Sequence, residues 1–167
     1  MNKRLSGLAV LALTMVPSVL AADFTDKANG FSVAPPDGWK QGQVQGVAVI
    51  FGSPTKLEGF TPNLNVAVED LPTSMTLSAY GKAGDVQLLK AIPSAKKTSV
   101  KPTTLGGYPA TSQTFSGTVQ GHQLYFTQTF AVVGKRAYVL TGTTTPGGAA
   151  QLTPFMDGFV KSFRVLK

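Results

Sequence analysis

The chain of 167 residues contains no cysteine and only one histidine, His122. Without cysteine there is no disulfide, no thiolate for metal binding or catalysis, and no residue that accepts a lipoprotein anchor. A Ser/His/Asp triad or a two-histidine metal site reduces to His122, which follows the predicted turn Gln120–Gly121. Because a general base also needs a nucleophile and an orienting group, we expect no enzyme, no metal site and no cofactor.

Acidic residues are also scarce, with eight in the chain. Only Glu69 and Asp70 are adjacent, and neighbours on a strand point to opposite faces, so we expect no catalytic carboxylate pair. The glycine pairs Gly106–Gly107 and Gly147–Gly148 lack the spacing of a phosphate-binding loop, and we predict a turn at each.

The only apolar segment near the length of a membrane span stands at the start of the chain. Lys3 and Arg4 precede an apolar run over residues 5–16, and small residues follow up to Ala21. This order is typical of a secretory signal peptide, residues 1–21. A membrane anchor is the alternative, but the run is short and Pro17 interrupts it. We therefore predict an exported, soluble protein, periplasmic or secreted, with at most peripheral membrane contact.

The remaining residues, 22–167, have the composition of one globular domain. Apolar residues make up 43% of the chain and charged residues 14%. Removal of Lys3 and Arg4 leaves 13 basic and eight acidic residues, a net charge of +5. Such a charge favours anionic partners. The alternative is that the charges, which are dispersed along the sequence, only keep the protein soluble.

Alternating patterns predict six main strands. Three precede a helix, at residues 31–34, 47–51 and 64–69, and the second of these is apolar throughout, as in a strand buried on both faces. Three more, at residues 110–118, 124–132 and 137–143, form an antiparallel meander with tight turns at Gln120–Gly121 and Gly134–Lys135. A lysine-rich connector before the meander has room for a short strand near residues 97–100.

Two segments have helical periodicity. The first has an N-cap at Ser74 or Thr76 and ends at Pro93, and the second begins with Thr153 as N-cap and Pro154 as first helical residue. Their apolar stripes are Leu77, Tyr80, Gly84, Leu88, Ile92 and Leu152, Phe155, Phe159, Phe163. We therefore predict an α+β fold of order β-β-β-α-β-β-β-α, a largely antiparallel sheet covered by helices as an α/β/α sandwich.

Four short motifs resemble the PsbP-like fold family, which includes bacterial DcrB-like envelope proteins. They are the opening strand and turn from Gly30 to Trp39, the entry to the meander at Leu105–Ala110, the strand Tyr138–Thr141 and the closing Ser162–Phe163. The resemblance implies one PsbP-like domain over residues 22–167 and a non-catalytic binding or accessory role. Envelope relatives are often lipoproteins, and this chain lacks the cysteine that a lipoprotein needs.

Our leading functional hypothesis is a non-enzymatic exported module that binds a protein or an anionic envelope component. Its contact would be a sheet edge, the loops, or the basic cluster Lys90, Lys96, Lys97 and Lys101. That cluster lacks interleaved aromatic residues, so we expect no nucleic-acid binding. The alternative is a carrier of a small apolar ligand held between helix and sheet. Trp39 is predicted as a core residue rather than a binding platform, and the oligomeric state stays open.

Overall fold

In a computed structural model, the described part of the chain comprises residues 23–167 and the backbone of Thr14–Met15. The predicted signal peptide, residues 1–21, lies outside the described residues apart from Thr14–Met15, so its cleavage stays a prediction. The strands are β1 (Thr14–Met15), β2 (Phe24–Asp26), β3 (Phe31–Val33), β4 (Lys40–Gln43), β5 (Val49–Gly52), β6 (Asn63–Asp70), β7 (Lys96–Leu105), β8 (Tyr108–Val119), β9 (His122–Val133), β10 (Arg136–Thr144) and β11 (Arg164–Val165). The α-helices are α1 (Leu77–Ala91) and α2 (Ala149–Ser162).

The strands form one large and one small sheet. The large sheet has the order β1-β4-β5-β6-β10-β9-β8-β7, and the small one has the order β11-β3-β2. Every neighbouring pair is antiparallel. The predicted meander is confirmed as β8, β9 and β10, which pair along almost their whole lengths.

The two helices cover opposite faces of the large sheet. On β6, Leu64 and Val66 share a core cluster with Met156 of α2, whereas the next residue, Ala67, belongs to a cluster with Tyr80 of α1. Successive residues of a strand point to opposite faces, so this alternation places one helix on each side. The predicted α+β sandwich is therefore confirmed, and we call its two sides the α1 face and the α2 face.

The lysine-rich connector is longer and more regular than predicted. It forms β7, a ten-residue strand at the edge of the large sheet, with a register shift between Lys97 and Ser99. Its exposed lysines, the bulge and Pro102 are typical of edge strands that must not pair with another chain. Most side chains of this edge strand are polar and exposed, so the sequence lacks the alternation of a half-buried strand and indicated a connector.

Helix α1 has the predicted start. The Thr76 hydroxyl accepts a hydrogen bond from the Ala79 amide at 3.1 Å, which satisfies a donor that the first turn leaves free. Gly81 lets the helix approach the sheet, because an added Cβ would lie 3.3 Å from the Phe130 ring. Gly84 has open space around it, so the close approach depends on Gly81 alone.

Helix α2 begins earlier than predicted, at Ala149 rather than after Thr153. Pro146 is the first residue of a 3-10 helix that leads directly into α2, so this proline has the role predicted for Pro154. Pro154 lies inside the helix, and the Thr153 hydroxyl donates to the Ala149 carbonyl at 3.0 Å instead of capping the helix. The prediction of a turn at Gly147–Gly148 was wrong, because both glycines belong to the 3-10 helix that precedes α2.

Candidate binding cleft

On the α2 face, the strands β8 and β9 carry small polar residues next to the part of the sheet that α2 covers. Ala110 of β8 and its partner Ala131 of β9 belong to the core cluster under α2. Ser112 follows Ala110 by two residues on β8, and Thr129 precedes Ala131 by two residues on β9. These two residues are paired, and they lie on the same face as the two alanines. The helix and these strands enclose a cleft of about 460 Å³, within the usual range for ligand sites.

Five serine and threonine residues line this cleft, and we call it the hydroxyl cleft: Thr103, Thr104, Ser112, Thr127 and Thr129. Thr104 alternates with Thr103 along β7, so its side chain points to the α1 face, and four hydroxyls are left on the α2 face. Within the described part of the chain, none of these four hydroxyls takes part in a hydrogen bond. Thr129 is only 3% exposed, yet its hydroxyl is not sealed from solvent. The floor of the cleft therefore offers several donors and acceptors to a guest molecule.

Charged side chains from α2 and from β11, which directly follows it, form one wall. Lys161 and Arg164 line the cleft together with Asp157, so two cations face one anion. Arg164 is held by hydrogen bonds from its Nη1 to the carbonyls of Lys161 and Phe163, at 2.6 Å and 2.8 Å. Cations are favoured at the C-terminal end of a helix, which explains their position. The wall is net positive and suits an anionic group.

The structure divides the predicted basic cluster between the two faces. Lys101 pairs with Ser112 and Lys96 pairs with Ser116, so both lie on the α2 face. Ser112 lines the hydroxyl cleft, so Lys101 lies beside it, whereas Ser116 does not line it and Lys96 is further along the sheet. Lys97 points to the other face, where it forms an ion pair with Asp85 of α1. Lys90 stands in the last turn of α1, which covers that same face. Anion contact through Lys96 and Lys101 stays a prediction, and Lys90 and Lys97 lie away from the cleft.

The residues singled out for possible catalysis do not come together. His122 is exposed at the start of β9, opposite Val119. Among residues 23–167, no group of three His, Asp or Glu side chains has the arrangement of a metal site. Asp70 forms an exposed ion pair with Arg136 at 3.0 Å, whereas Glu69 points to the α1 face.

Sequence reasoning missed the environment of Glu69. Both carboxylate oxygens are buried, and neither has a partner in hydrogen-bond geometry among the described residues. Burial raises the pKa of Glu69, and the nearby Tyr80 hydroxyl opposes this only in part. Burial and the Glu69 carboxylate also raise the pKa of Tyr80. The alternation of β6 predicted which face Glu69 occupies, but not that the start of α1 would bury it.

Trp39 and Phe155 form an aromatic pair at the other end of α2. Their ring centroids are 5.3 Å apart, and the two planes are tilted by 52°. Trp39 is partly buried against the core, as predicted, but one side of it lines a second pocket.

An antiparallel sheet between two helices, with a polar cleft under one of them, defines a class of small α+β domain. The PsbP family model matches residues 21–165. The chain therefore belongs to the PsbP family. Among curated proteins, none matches it significantly.

Solved structures share the fold at low sequence identity. Cyanobacterial PsbP (CyanoP) from Synechocystis sp. PCC 6803 has a TM-score of 0.67 and 18% identity, covering 90% of this chain and 95% of that one. LpqN of Mycobacterium tuberculosis, involved in cell envelope biogenesis, has a TM-score of 0.62 and 13% identity, covering 93% and 91%. The Ran-binding protein Mog1p of Saccharomyces cerevisiae has a TM-score of 0.61 and 9% identity, covering 90% and 97%. At these identities the likeness concerns the fold alone.

Proposed function

We propose that the protein is a non-enzymatic, exported binding module that holds a hydroxylated anionic group, such as a sugar phosphate of an envelope component, in the hydroxyl cleft. The observation that carries the proposal is the set of four hydroxyls on the α2 face that have no hydrogen-bond partner among residues 23–167, beside Lys161 and Arg164. No helix of the described residues is long and apolar enough to cross a membrane.

The chemistry of the cleft favours this ligand class over others. Serine and threonine hydroxyls both donate and accept, so they complement the hydroxyls of a sugar. Arginine and lysine form charge-assisted hydrogen bonds with phosphate. An apolar ligand would leave the hydroxyls of Ser112 and Thr129 unpaired, and a cation would meet the positive wall.

Two further observations support export and a role at the envelope. The first is the order of charges and small residues at the start of the chain, which is typical of a signal peptide. The second is the shared fold with LpqN, a protein involved in cell envelope biogenesis. A binding role without catalysis is supported by the lining of the cleft, which does not include His122.

Isothermal titration with glucose 6-phosphate tests the proposal, with glucose and inorganic phosphate as partial ligands. We expect the complete ligand to bind more tightly than either part. We also expect binding to weaken as salt is added, because the screening length of charge interactions falls to about 3 Å at about 1 M ionic strength. Vesicles that carry phosphatidylinositol test whether the same group is presented by a lipid. Recovery of unaltered glucose 6-phosphate after long incubation would agree with a role without catalysis, and released phosphate would contradict it.

Two variants locate the site. Thr129→Val removes one hydroxyl at nearly constant volume, and loss of about 1 kcal/mol corresponds to about a fivefold weaker affinity. Lys161→Met keeps the aliphatic stem and removes the charge, and we expect about a tenfold loss. The matched controls are Thr25→Val on the exposed side of β2 and Lys97→Met on the α1 face. Equal losses in variants and controls would place binding elsewhere.

A further inference from the structure

The hydroxyl cleft has two different ends, because α2 runs along it. At one end, an added Cβ at Gly142 would lie 3.0 Å from Thr127 Cγ2 and 3.1 Å from Leu152 Cδ2, which places Thr127 beside the first half of α2. At the other end, an added Cβ at Gly106 would lie 3.3 Å from the backbone nitrogen of Val165, just beyond α2. Thr127 and Gly106 both line the cleft, so the cleft follows the helix toward its C-terminal end.

The charged groups of the wall are ordered along the same axis. Asp157 comes first, Lys161 follows one turn later on the same side of the helix, and Arg164 follows the end of the helix. At about 1.5 Å per residue, Asp157 and Lys161 are about 6 Å apart along the helix axis. The carboxylate therefore stands nearer to the Thr127 end of the cleft, and the cations stand nearer to the Gly106 end.

The Gly106 end has the groups that a phosphate needs. Among residues 23–167, Arg164 forms hydrogen bonds through Nη1 alone, so these bonds orient the guanidinium and leave Nε and Nη2 for a ligand. A guanidinium binds two phosphate oxygens at once. Gly106 and Gly107 form the adjacent turn between β7 and β8, with φ of 58° and 87°. Because glycine has no side chain, a phosphate oxygen can approach the backbone of this turn closely.

The opposite requirement holds at Asp157. A carboxylate accepts hydrogen bonds but donates none, so it repels a phosphate and attracts groups that donate. Asp157 is exposed to solvent, and it forms no ion pair within residues 23–167. The serine and threonine hydroxyls of the cleft bind donors and acceptors alike, whereas Asp157 binds only donors. The hydroxyls of a sugar are donors of the required kind.

We propose that Asp157 is the specificity-determining residue of the hydroxyl cleft and that the ligand lies in one direction. Asp157 accepts hydrogen bonds from the sugar hydroxyls, while Arg164 and the Gly106–Gly107 turn bind the phosphate. This inference rests on the proposed function and adds the residue that selects the ligand. A phosphate ester without hydroxyls meets the same cations but also the repulsion of Asp157, so it binds weakly.

The test compares glucose 6-phosphate with methyl phosphate, which carries the same phosphate without the sugar, by isothermal titration. Asp157→Asn keeps the shape of the side chain and removes its charge. The loss of this charge favours both ligands about equally, so the ratio of the two affinities isolates the contact with the hydroxyls. We expect the preference for glucose 6-phosphate to fall about tenfold. Asp23→Asn, at an exposed position outside the cleft, is the matched control and should leave the ratio within twofold.

The opposite end has its own variant and readout. Arg164→Met should weaken the binding of both ligands about tenfold and leave their ratio within twofold. Lys97→Met, on the α1 face, should leave both affinities within twofold. In nuclear magnetic resonance spectra, methyl phosphate should shift the amides of Gly107 and Arg164 and leave that of Thr127 unchanged.

The outcomes separate this inference from the proposed function. If Thr129→Val weakens the binding of glucose 6-phosphate but Asp157→Asn leaves the ratio unchanged, the cleft binds the ligand and the role of Asp157 is overturned. Shifts with methyl phosphate that centre on Thr127 would overturn the direction. No saturable binding of glucose 6-phosphate to the wild type would overturn both the inference and the proposed function.

Discussion

Replacement of Glu69 by Gln should stabilise the protein at neutral pH. Both oxygens of the Glu69 carboxylate are buried without hydrogen-bond partners among residues 23–167, and burial raises the pKa of Glu69. The folded state must therefore either keep an unpaired charge away from water or bind a proton. Glutamine has nearly the same shape and carries no charge, so Glu69→Gln removes both penalties.

The magnitude has an upper limit set by protonation. An acid with the ordinary pKa of 4.5 costs about 3.4 kcal/mol to protonate at pH 7, at about 1.36 kcal/mol per pH unit. The side chain is not completely enclosed, so solvent reduces the penalty, and we expect a gain of about 1–2 kcal/mol. Because folding raises the pKa, the contribution of Glu69 to wild-type stability is most favourable below pH 4.5 and is lost as the pH rises through the folded-state value. The advantage of Glu69→Gln should therefore vanish near pH 4.

Urea unfolding followed by circular dichroism measures both effects. The free energy of unfolding of Glu69→Gln should exceed that of the wild type at pH 7.5 and equal it at pH 4. Asp23→Asn removes one negative charge at an exposed position and serves as the control, with a change within about 0.5 kcal/mol. Equal stability at pH 7.5, or a loss there, would show that Glu69 has a stabilising partner that the geometry does not reveal.

The other stability predictions concern the two ends of α1. Thr76→Ala removes the side-chain cap on the Ala79 amide and should cost about 1 kcal/mol in thermal or urea unfolding, whereas Thr76→Asn should restore most of it. Gly117→Ala places a Cβ 2.5 Å from Ile92 Cγ2, where the end of α1 meets β8, and overpacking of this kind should cost about 1–3 kcal/mol. A neutral result for Gly117→Ala would mean that the Ile92 side chain has room to turn away.

The strand pattern predicted most of the fold because the buried faces alternate cleanly. The three meander strands, β6 and α1 lie where periodicity placed them. The short strands β2, β4 and β11 were missed, and the edge strand β7 was predicted only as a short strand near residues 97–100, because such strands bury too few side chains to leave a period of two. The start of α2 was misplaced because Thr145–Pro146 and Thr153–Pro154 carry the same capping signal, and only the packing of the helix decides between them.

The candidate site was much less predictable. The sequence predicted anion contact at Lys96 and Lys101, but their positions beside Ser116 and Ser112 depend on the pairing of β7 with β8. Alternating serine and threonine in β8 and β9 looks like an ordinary exposed strand face. Only the position of α2 over part of that face encloses it as a cleft. The environments of Glu69 and Phe155 likewise depend on contacts between distant segments.

The most direct measurement is a nuclear magnetic resonance titration of the isotope-labelled chain with glucose 6-phosphate. We predict saturable shifts of the backbone amides of Thr103, Ser112 and Thr129 and of the end of α2 near Lys161, with the amides around Trp39 unchanged. The same titration of Thr129→Val should give smaller shifts at equal ligand concentration. Saturable shifts centred elsewhere, or none at millimolar ligand, would contradict binding in the hydroxyl cleft.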